Sequence, residues 1–409
     1  MSIVNEIIVW SKMLILFAIG LLFGDNLEID FPCESELPTD SVNDMESIPN
    51  YTLLQTIVLT RHGARSPIDT FHPQDTGKWY CDDESNYSFA PRYAAEGGKV
   101  FRRNHLKLDE NLTPFPPSCP DGGLLTSGMK QHNELGKAFR KHYVDNLGFL
   151  PKKYSPRYIW VRSSEVDRCI RSAQSFISGL YPPRKHSDIV TIETGTPSLE
   201  LLHPSTSQCS DLGKAWKQWV SSPEYLSKKN FSEPYLRPLA DEAKVTWNEP
   251  TWMFIGDWIA TVACTNHSFP KLVNDTVIQI GMEAVEFYSH GFFSFARGIA
   301  GSSILREILR IIDDRIAGRS EIKFALLSAH DVSIVAVLIL LGFDNPHWSP
   351  FRSYFITELW RDPNGQLFLR FLYNSKLVNV DFMDNNSLFK LSHFKNRASK
   401  YLGFCREFP

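Results

Sequence analysis

Three short apolar segments of the chain each end abruptly in polar side chains. Residues 54–59, 158–161 and 324–327 are rich in aromatic, leucine and β-branched residues, which predicts buried strands. The polar residues that follow them are Arg61 with His62, Arg162, and His330 with Asp331. Ligands of an open α/β sheet bind beyond the carboxyl ends of its strands, where helix N-termini also point. The pattern therefore predicts that the three clusters converge, although it does not show that the strands are neighbours.

Apolar residues at three- and four-residue intervals predict helices over 124–143, 165–180 and 332–341. Residues 356–360 and 367–373, separated by a Pro-Asn-Gly turn, predict an antiparallel hairpin. Residues 201–270 differ in character, since they are rich in Trp, Ser, Lys and Pro with shorter helical patterns at 212–220, 239–245 and 251–262. The expected fold is α/β, a Rossmann-like mixed sheet flanked by helices with an inserted, mostly helical cap domain.

The N-terminal apolar run predicts a targeting segment. Residues 13–23 are about half the ~20 residues that span a bilayer, which favours a signal peptide over 1–24. An uncleaved signal anchor is the alternative. A leader over 25–51 then precedes a core formed by 52–200 and 271–409, with 201–270 as the cap. The tail lacks an apolar stretch, so we expect no stable membrane span.

Composition narrows the function without naming it. The chain has 409 residues, of which 43% are hydrophobic and 13% aromatic, so it can bury a large core. Its net charge of −3 gives no electrostatic footprint for nucleic acid. Several Asn-x-Ser/Thr triplets predict a glycosylated protein of the secretory pathway. They begin at Asn50, Asn86, Asn111, Asn230, Asn266, Asn274 and Asn385.

Four segments carry a family resemblance. The sequence RHGARSP at 61–67 resembles the RHGxRxP signature of the histidine acid phosphatases. Residues 125–142, 158–183 and the SAHD sequence at 328–331 resemble the later landmarks of that family in the same order. The resemblance covers most of residues 53–405 and is closest to the prostatic and lysosomal acid phosphatases. A basic surface turn is the alternative interpretation of the first motif taken alone.

The resemblance implies a phosphatase site that needs no metal or cofactor. It assigns phosphate binding to three arginines and a second histidine, attack on phosphorus to one histidine, and proton donation to one aspartate. These residues are Arg61, Arg65, Arg162 and His330 for phosphate binding, His62 for attack, and Asp331 for proton donation. Structural ion pairs for Arg61 or Arg65, and a solvated charged face for Arg162, are the alternatives.

The residue types suit phosphoryl transfer, which depends on positioning and charge stabilisation. Neighbouring guanidiniums lower the pKa of a histidine and keep His62 neutral and nucleophilic in acid. A bound phosphate raises the pKa of Asp331 and holds its proton. We therefore expect activity to be highest in acid. Val332 and Ser333 after the aspartate resemble the broad acid phosphatases of the family more than its inositol-phosphate phosphatases, and this resemblance implies simple phosphate monoesters over phytate.

The cysteines add expectations about disulfides. By resemblance, Cys209 pairs with Cys405, and Cys81 is expected to pair with Cys119 in the long connection 71–123. The family partner of Cys264 would lie near Tyr354, so that bridge is absent or rerouted. Cys169 falls in a helical pattern and is expected to be a buried free thiol.

The leading hypothesis is thus a secreted or lysosomal acid phosphatase acting on small phosphate monoesters. A catalytically silent binding protein on the same fold, and a phytase-like or lipid-phosphate-specific phosphatase, are the alternatives. A homodimer is expected from the resemblance alone. His132, on the apolar face of the first predicted helix, is expected to be a buried structural histidine rather than a catalytic residue.

Overall fold

The computed structural model describes residues 32–38, 47–68, 79–81, 94–95, 99–100, 119–183, 189–248, 251–343, 348–378 and 388–406. The predicted signal peptide and most of the connection 71–123 lie outside these residues. Among the described residues, no helix is long and apolar enough to cross a membrane.

The strands fall into one mixed sheet and one small ribbon. They are β1 Thr52–Arg61, β2 Ala94–Ala95, β3 Lys99–Val100, β4 Ile159–Ser163, β5 Glu193–Thr194, β6 Phe324–Ala329, β7 Tyr354–Arg361, β8 Leu367–Tyr373, β9 Lys376–Leu377 and β10 Phe389–Lys390. The main sheet has the order β10-β8-β7-β1-β6-β4-β5, with β9 on β8, while β2 and β3 form the ribbon. Strands β1, β6, β4 and β5 are parallel, and β7 and β8 form the predicted antiparallel hairpin.

The helices flank this sheet. They are α1 Thr126–Phe139, which continues as a π-helical turn Arg140–Asn146, α2 Asp167–Leu180, α3 Ser210–Val220, α4 Pro223–Glu242, α5 Thr251–Cys264, α6 Asp275–Glu286, α7 Phe292–Phe295, α8 Ser302–Ile316, α9 Asp331–Leu340 and α10 Leu391–Ala398. The α/β class and the flanked mixed sheet are as predicted.

Side-chain alternation along β1 divides the core into two layers. Ile57 and Leu59 pack with α8, α9 and α10 on one face of the sheet. Val58, between them in sequence, packs with Phe139 of α1 and Phe176 of α2 on the other face. A central strand that is buried on both faces explains why the consecutive residues 57–59 are all apolar.

Helices α3 to α7 follow one another between Ser210 and Phe295. The prediction of a separate helix over 239–245 is wrong, because one continuous helix, α4, runs from Pro223 to Glu242 with two prolines inside it. The Ser222 hydroxyl caps its first turn by accepting from the Tyr225 N–H at 3.2 Å, and Pro223 occupies a first-turn position that needs no N–H.

Three disulfides hold the described chain together. Cys209–Cys405 and Cys81–Cys119 confirm the expected pairs. Cys264 pairs with Cys33, so its bridge is rerouted to the leader. Cys169 is free and buried, as expected.

Candidate active site

The carboxyl ends of β1 and β6 meet at one edge of the sheet. Arg61 lies opposite Ala329 in the strand register, and the His62 N–H donates to the Ala329 carbonyl at 3.0 Å. This pairing brings the His62 ring to 5.8 Å from the His330 ring, measured between centroids. Two of the three predicted polar clusters therefore converge, because their strands are neighbours.

Gly63 is required where the loop that follows β1 meets α1. A Cβ on Gly63 would lie 2.4 Å from the carbonyl oxygen of Gly128, and one on Gly128 would lie 2.2 Å from the carbonyl of Ala64. Side chains at either position would separate the loop from the helix. Gly63 thus allows the first turn of α1 to pack directly behind His62.

His62 is held as a neutral base. Its Nδ1 donates to the carbonyl of Gly63 at 2.9 Å, which leaves the Nε2 lone pair free. Burial lowers the pKa of His62 well below its usual value, and the charges of Arg168, Arg61 and Arg65 lower it further. Burial is the larger cause, whereas the sequence pointed to the guanidiniums alone. His62 therefore has the protonation state of a nucleophile even in acid.

Arg61 is fully buried between aromatic rings. Its guanidinium lies 3.8 Å from the Trp348 ring centroid and 4.2 Å from that of Phe351. Its Nη1 donates to the carbonyl of Ser349, and its Nη2 lies 3.1 Å from Asp331 Oδ2. Burial lowers the pKa of Arg61 to about 10, so it remains a cation in acid and at neutral pH.

Asp331 begins α9 and is surrounded by donors. Its Oδ1 accepts from the Val332 N–H at 2.8 Å, and its Oδ2 accepts from the Trp348 indole at 3.0 Å. Burial is the largest single influence and would raise the pKa of Asp331, but Arg61, Arg65, the Val332 N–H and Arg168 together lower it below its usual value. The carboxyl is therefore ionised in the unbound protein, so any proton that it donates must be gained when an anion binds.

Arg65 reaches the helical region. Its Nη2 donates to Asp257 Oδ1 at 2.7 Å, and its Nη1 donates to the Thr261 hydroxyl at 3.2 Å. Both partners lie on α5. The sequence analysis missed Asp257, because a single acidic residue in an apolar helix gives no signal of what it faces in space.

The structure does not bring Arg162 into this cluster. Its Nη2 lies 3.3 Å from Glu200 Oε1, and its Nη1 lies 4.0 Å from Glu307 Oε1 of α8. Alternation along β4 places Arg162 on the same face as Trp160, which packs against the α8 layer. The Arg162 side chain therefore leaves the sheet on the α8 face instead of extending past the strand end toward the cluster.

Arg168, in the first turn of α2, takes the place predicted for Arg162. Its Nη2 lies 3.5 Å from Nδ1 of His330, whose Nε2 lies 3.0 Å from the Ser164 hydroxyl. Arg168 also has the largest electrostatic effect on the pKa of His62. The signal that could have found Arg168 is its position: a basic residue five places after the end of β4 lies in the first turn of the next helix, which returns it to the strand end.

The arginines converge with unused donors. The buried Nε atoms of Arg61, Arg65 and Arg168 have no hydrogen-bond acceptor among the described residues. An unpaired Nε does not mark the site by itself, because Arg162 also has one. The site is marked instead by a combination of features: three guanidiniums surround a neutral imidazole with a free lone pair. This arrangement can bind a tetrahedral oxyanion and attack it.

His132 supports the loop from behind, as expected. It is fully buried, and its Nε2 lies 3.0 Å from the Arg61 carbonyl, to which it donates. Burial lowers the pKa of His132 to about 3. Among the described residues, no group of three or more His, Cys, Asp or Glu side chains could hold a metal ion.

Comparison with known proteins places this site in a family. The model of the histidine phosphatase superfamily, branch 2, matches residues 52–374. The chain therefore belongs to the histidine acid phosphatase family.

Individual relatives agree with this assignment. The chain is 28% identical over 385 residues to counting factor 60 of Dictyostelium discoideum, covering 90% of this chain and 89% of that protein. It is 23% identical to mouse lysophosphatidic acid phosphatase type 6, covering 84% of each chain. Lysosomal acid phosphatase of Pongo abelii is 24% identical, covering 90% of this chain and 77% of that protein. The phytase of Klebsiella sp. ASR1 has the same fold, with a TM-score of 0.57 and 15% identity over 88% of this chain and 98% of the phytase.

Proposed function

We propose that this protein is an acid phosphatase that hydrolyses phosphate monoesters through a phosphohistidine on His62. The observation that carries the proposal is the convergence of three guanidiniums on a neutral imidazole with a free Nε2. Arg61, Arg65 and Arg168 bind the equatorial phosphate oxygens. His330 is the fourth phosphate ligand, since a bound anion favours its protonated form.

The reaction has two balanced steps. The Nε2 lone pair of His62 attacks phosphorus while the P–O bond to the alcohol breaks, and the departing oxygen takes its electron pair and a proton from Asp331. Water then attacks the phosphohistidine, the P–N electron pair returns to Nε2, and the water proton passes to the Asp331 carboxylate. The carbonyl of Gly63 keeps Nδ1–H in place and stabilises the positive charge of the intermediate.

Asp331 sets the direction of the pH dependence. It is ionised in the unbound protein, and the negative charge of bound phosphate raises its pKa, so that binding is coupled to proton uptake. Activity then falls as pH rises through the Asp331 pKa in the complex. His62 imposes no acidic limb near its usual pKa, because its own pKa is well below that value.

The site favours small monoesters over highly phosphorylated substrates. Asp257 places a carboxylate against Arg65, at 2.7 Å. A leaving group that carries further phosphates would meet this negative charge. The relatives that act on lysophosphatidic acid or phytate make those two esters the comparisons to include in an assay.

We place the protein in the secretory pathway, as a secreted or lysosomal glycoprotein. Its disulfides Cys33–Cys264, Cys81–Cys119 and Cys209–Cys405 support an oxidising compartment.

The test is hydrolysis of p-nitrophenyl phosphate from acidic to neutral pH, with EDTA, together with trapping of the phosphoenzyme. The wild-type protein should peak in acid, ignore the chelator and form an acid-labile phosphohistidine. His62→Ala should lose both turnover and label, whereas His393→Ala, an exposed histidine on α10, should keep both. A labelled phosphoenzyme in the His62 variant would refute the nucleophile assignment. No activity at any pH from folded protein would support a silent binding protein instead.

A further inference from the structure

Trp348 contacts two residues of the proposed site at once. Its indole Nε1 donates to Asp331 Oδ2 at 3.0 Å, while its ring lies under the Arg61 guanidinium at 3.8 Å. The side chain is buried, with 1% of its surface exposed. We call Arg61, Asp331 and Trp348 the site triad.

The two carboxylate oxygens of Asp331 have different contacts. Oδ2 faces the Trp348 indole and Nη2 of Arg61, whereas Oδ1 accepts only the N–H of Val332 among the described residues. A carboxylic acid carries its proton on one oxygen, and an oxygen that already accepts the indole N–H and lies against a guanidinium in an ion pair is the less favourable one for an O–H. The neutral acid should therefore carry its proton on Oδ1.

We propose that Trp348 is a positioning residue that reserves Oδ2 as an acceptor, so that Oδ1 of Asp331 delivers the proton to the leaving oxygen. This inference rests on the proposed phosphatase function. During transfer the Asp331 O–H bond breaks, its electron pair stays on the carboxylate, and the ester oxygen binds the proton with the pair gained from the P–O bond. The indole N–H then stabilises the carboxylate, because hydrogen bonds to the charged form are the stronger ones.

In addition to the hydrogen bond from Trp348, several charged or titratable groups interact electrostatically with the Asp331 carboxyl. They are Arg61 on β1, Arg65 in the following loop, Arg168 on α2, His203 and Tyr288. An indole does not titrate in this range, so replacing Trp348 leaves these charges in place. A change in the proton donor can then be assigned to the lost N–H.

The sheet contains a matched control. Trp360 donates its indole N–H to Glu358 Oε2, also at 3.0 Å, and its ring lies 4.9 Å from the Arg370 guanidinium, which pairs with the same carboxylate at 2.6 Å. We call Arg370, Glu358 and Trp360 the sheet triad. It has the chemistry of the site triad but lies on β7 and β8.

The experiment compares Trp348→Phe with Trp360→Phe. Loss of the N–H at Trp348 removes stabilisation of the Asp331 carboxylate, so the alkaline limb of kcat should move up by about 0.5–1 pH unit. The Asp331 acid is then weaker and less well oriented. Alkyl phosphates, which need the proton, should lose roughly 10-fold in kcat, and p-nitrophenyl phosphate should lose little. Trp360→Phe should lower the Tm and leave the limb unmoved.

Trp348→Leu separates the N–H from the ring. Both Trp348 variants lack the donor, so both should shift the alkaline limb, and only the leucine variant should also raise KM through a less restrained Arg61. An unshifted limb in both variants, with equal losses on the two ester classes, would overturn the inference. If the wild-type protein itself forms no phosphohistidine, the proposed function fails instead.

Discussion

The site triad and the sheet triad join the same chemistry in two different surroundings. In each, an indole N–H and a guanidinium converge on one carboxylate. The sheet triad is closed, because Glu358 is fully buried and its second oxygen accepts the Tyr143 hydroxyl at 2.8 Å. In the site triad, the Asp331 side chain is 17% exposed and Arg61 keeps an unused Nε donor.

The difference separates structural ion pairs from reactive ones. Glu358 and Arg370 are a cross-strand pair of the β7–β8 hairpin, so rigid strands position both. The site triad is assembled from the end of one strand, the start of a helix and a distant loop. A fully buried carboxylate with donors on both oxygens stabilises a fold, whereas a partly exposed one beside unused guanidinium donors can exchange a proton and bind an anion.

The largest effect expected from this contrast is on catalysis. Asp331→Asn removes the proton donor, so kcat for alkyl phosphates should fall by about 10²–10⁴-fold, with a much smaller loss for p-nitrophenyl phosphate. Glu358→Gln should keep the leaving-group dependence of the wild type. It should instead lower the free energy of unfolding by about 3–5 kcal/mol, because Arg370 is left buried without its counter-ion.

Inorganic phosphate distinguishes the two variants further. Without the Asp331 carboxylate, which repels phosphate beside Arg61, the Asp331 variant should bind phosphate more tightly than the wild-type protein, so at one fixed, saturating phosphate concentration it should gain more stability, by about 1.4 kcal/mol for each tenfold fall in Kd. The Glu358 variant should gain no more from phosphate than the wild-type protein does. Urea unfolding with and without phosphate measures both gains, and a larger gain in the Glu358 variant would contradict the division between the two triads.

A smaller effect should separate the two arginines on which sequence and structure differ. Arg168→Ala removes a charged donor to phosphate that is worth about 1.5–3 kcal/mol, so kcat/KM should fall roughly 10- to 150-fold. Arg162→Ala should change kcat/KM by less than about 3-fold and should destabilise the fold, because buried Glu200 loses its partner. Competitive inhibition by phosphate should weaken only in the Arg168 variant. If Arg162→Ala lowered kcat/KM and weakened inhibition by phosphate more than Arg168→Ala did, Arg162 would be the phosphate ligand instead.

The sequence predicted what local pattern controls. The strands, the hairpin and the Arg61-His62 turn follow from apolar runs and turn residues, and alternation at Ile57, Val58 and Leu59 explains why β1 is central. Each of these features is decided within a few residues of its own position.

The features of the site that the sequence did not predict depend on which side chains meet across the fold. Arg162 and Arg168 are equally basic in sequence, and only the face on which each side chain leaves the chain separates them. Trp348 and Asp257 reach the site from segments that carry no motif. Tertiary contacts of this kind have no sequence period and therefore no local signal.

The most gradual expected effect, spread over several pH units, concerns stability in acid. His62, His330 and His132 are buried with lowered pKa values, whereas the sheet triad contains no histidine. A histidine whose folded pKa is lowered stabilises the fold above its unfolded pKa of about 6.5, and that stability is lost as pH falls, because the unfolded chain binds the proton first. For His132 the loss extends from about pH 6.5 to about pH 3.

His132→Gln, whose amide can still donate to the Arg61 carbonyl, should reduce the slope of unfolding free energy against pH by about 1.4 kcal/mol per unit in that range. Urea unfolding at pH 7, 5.5 and 4 measures the slope. Trp360→Phe is the control, because it should lower stability at every pH without changing the slope. Parallel curves for the wild-type protein and the His132 variant would show that this histidine is not the proton-linked group.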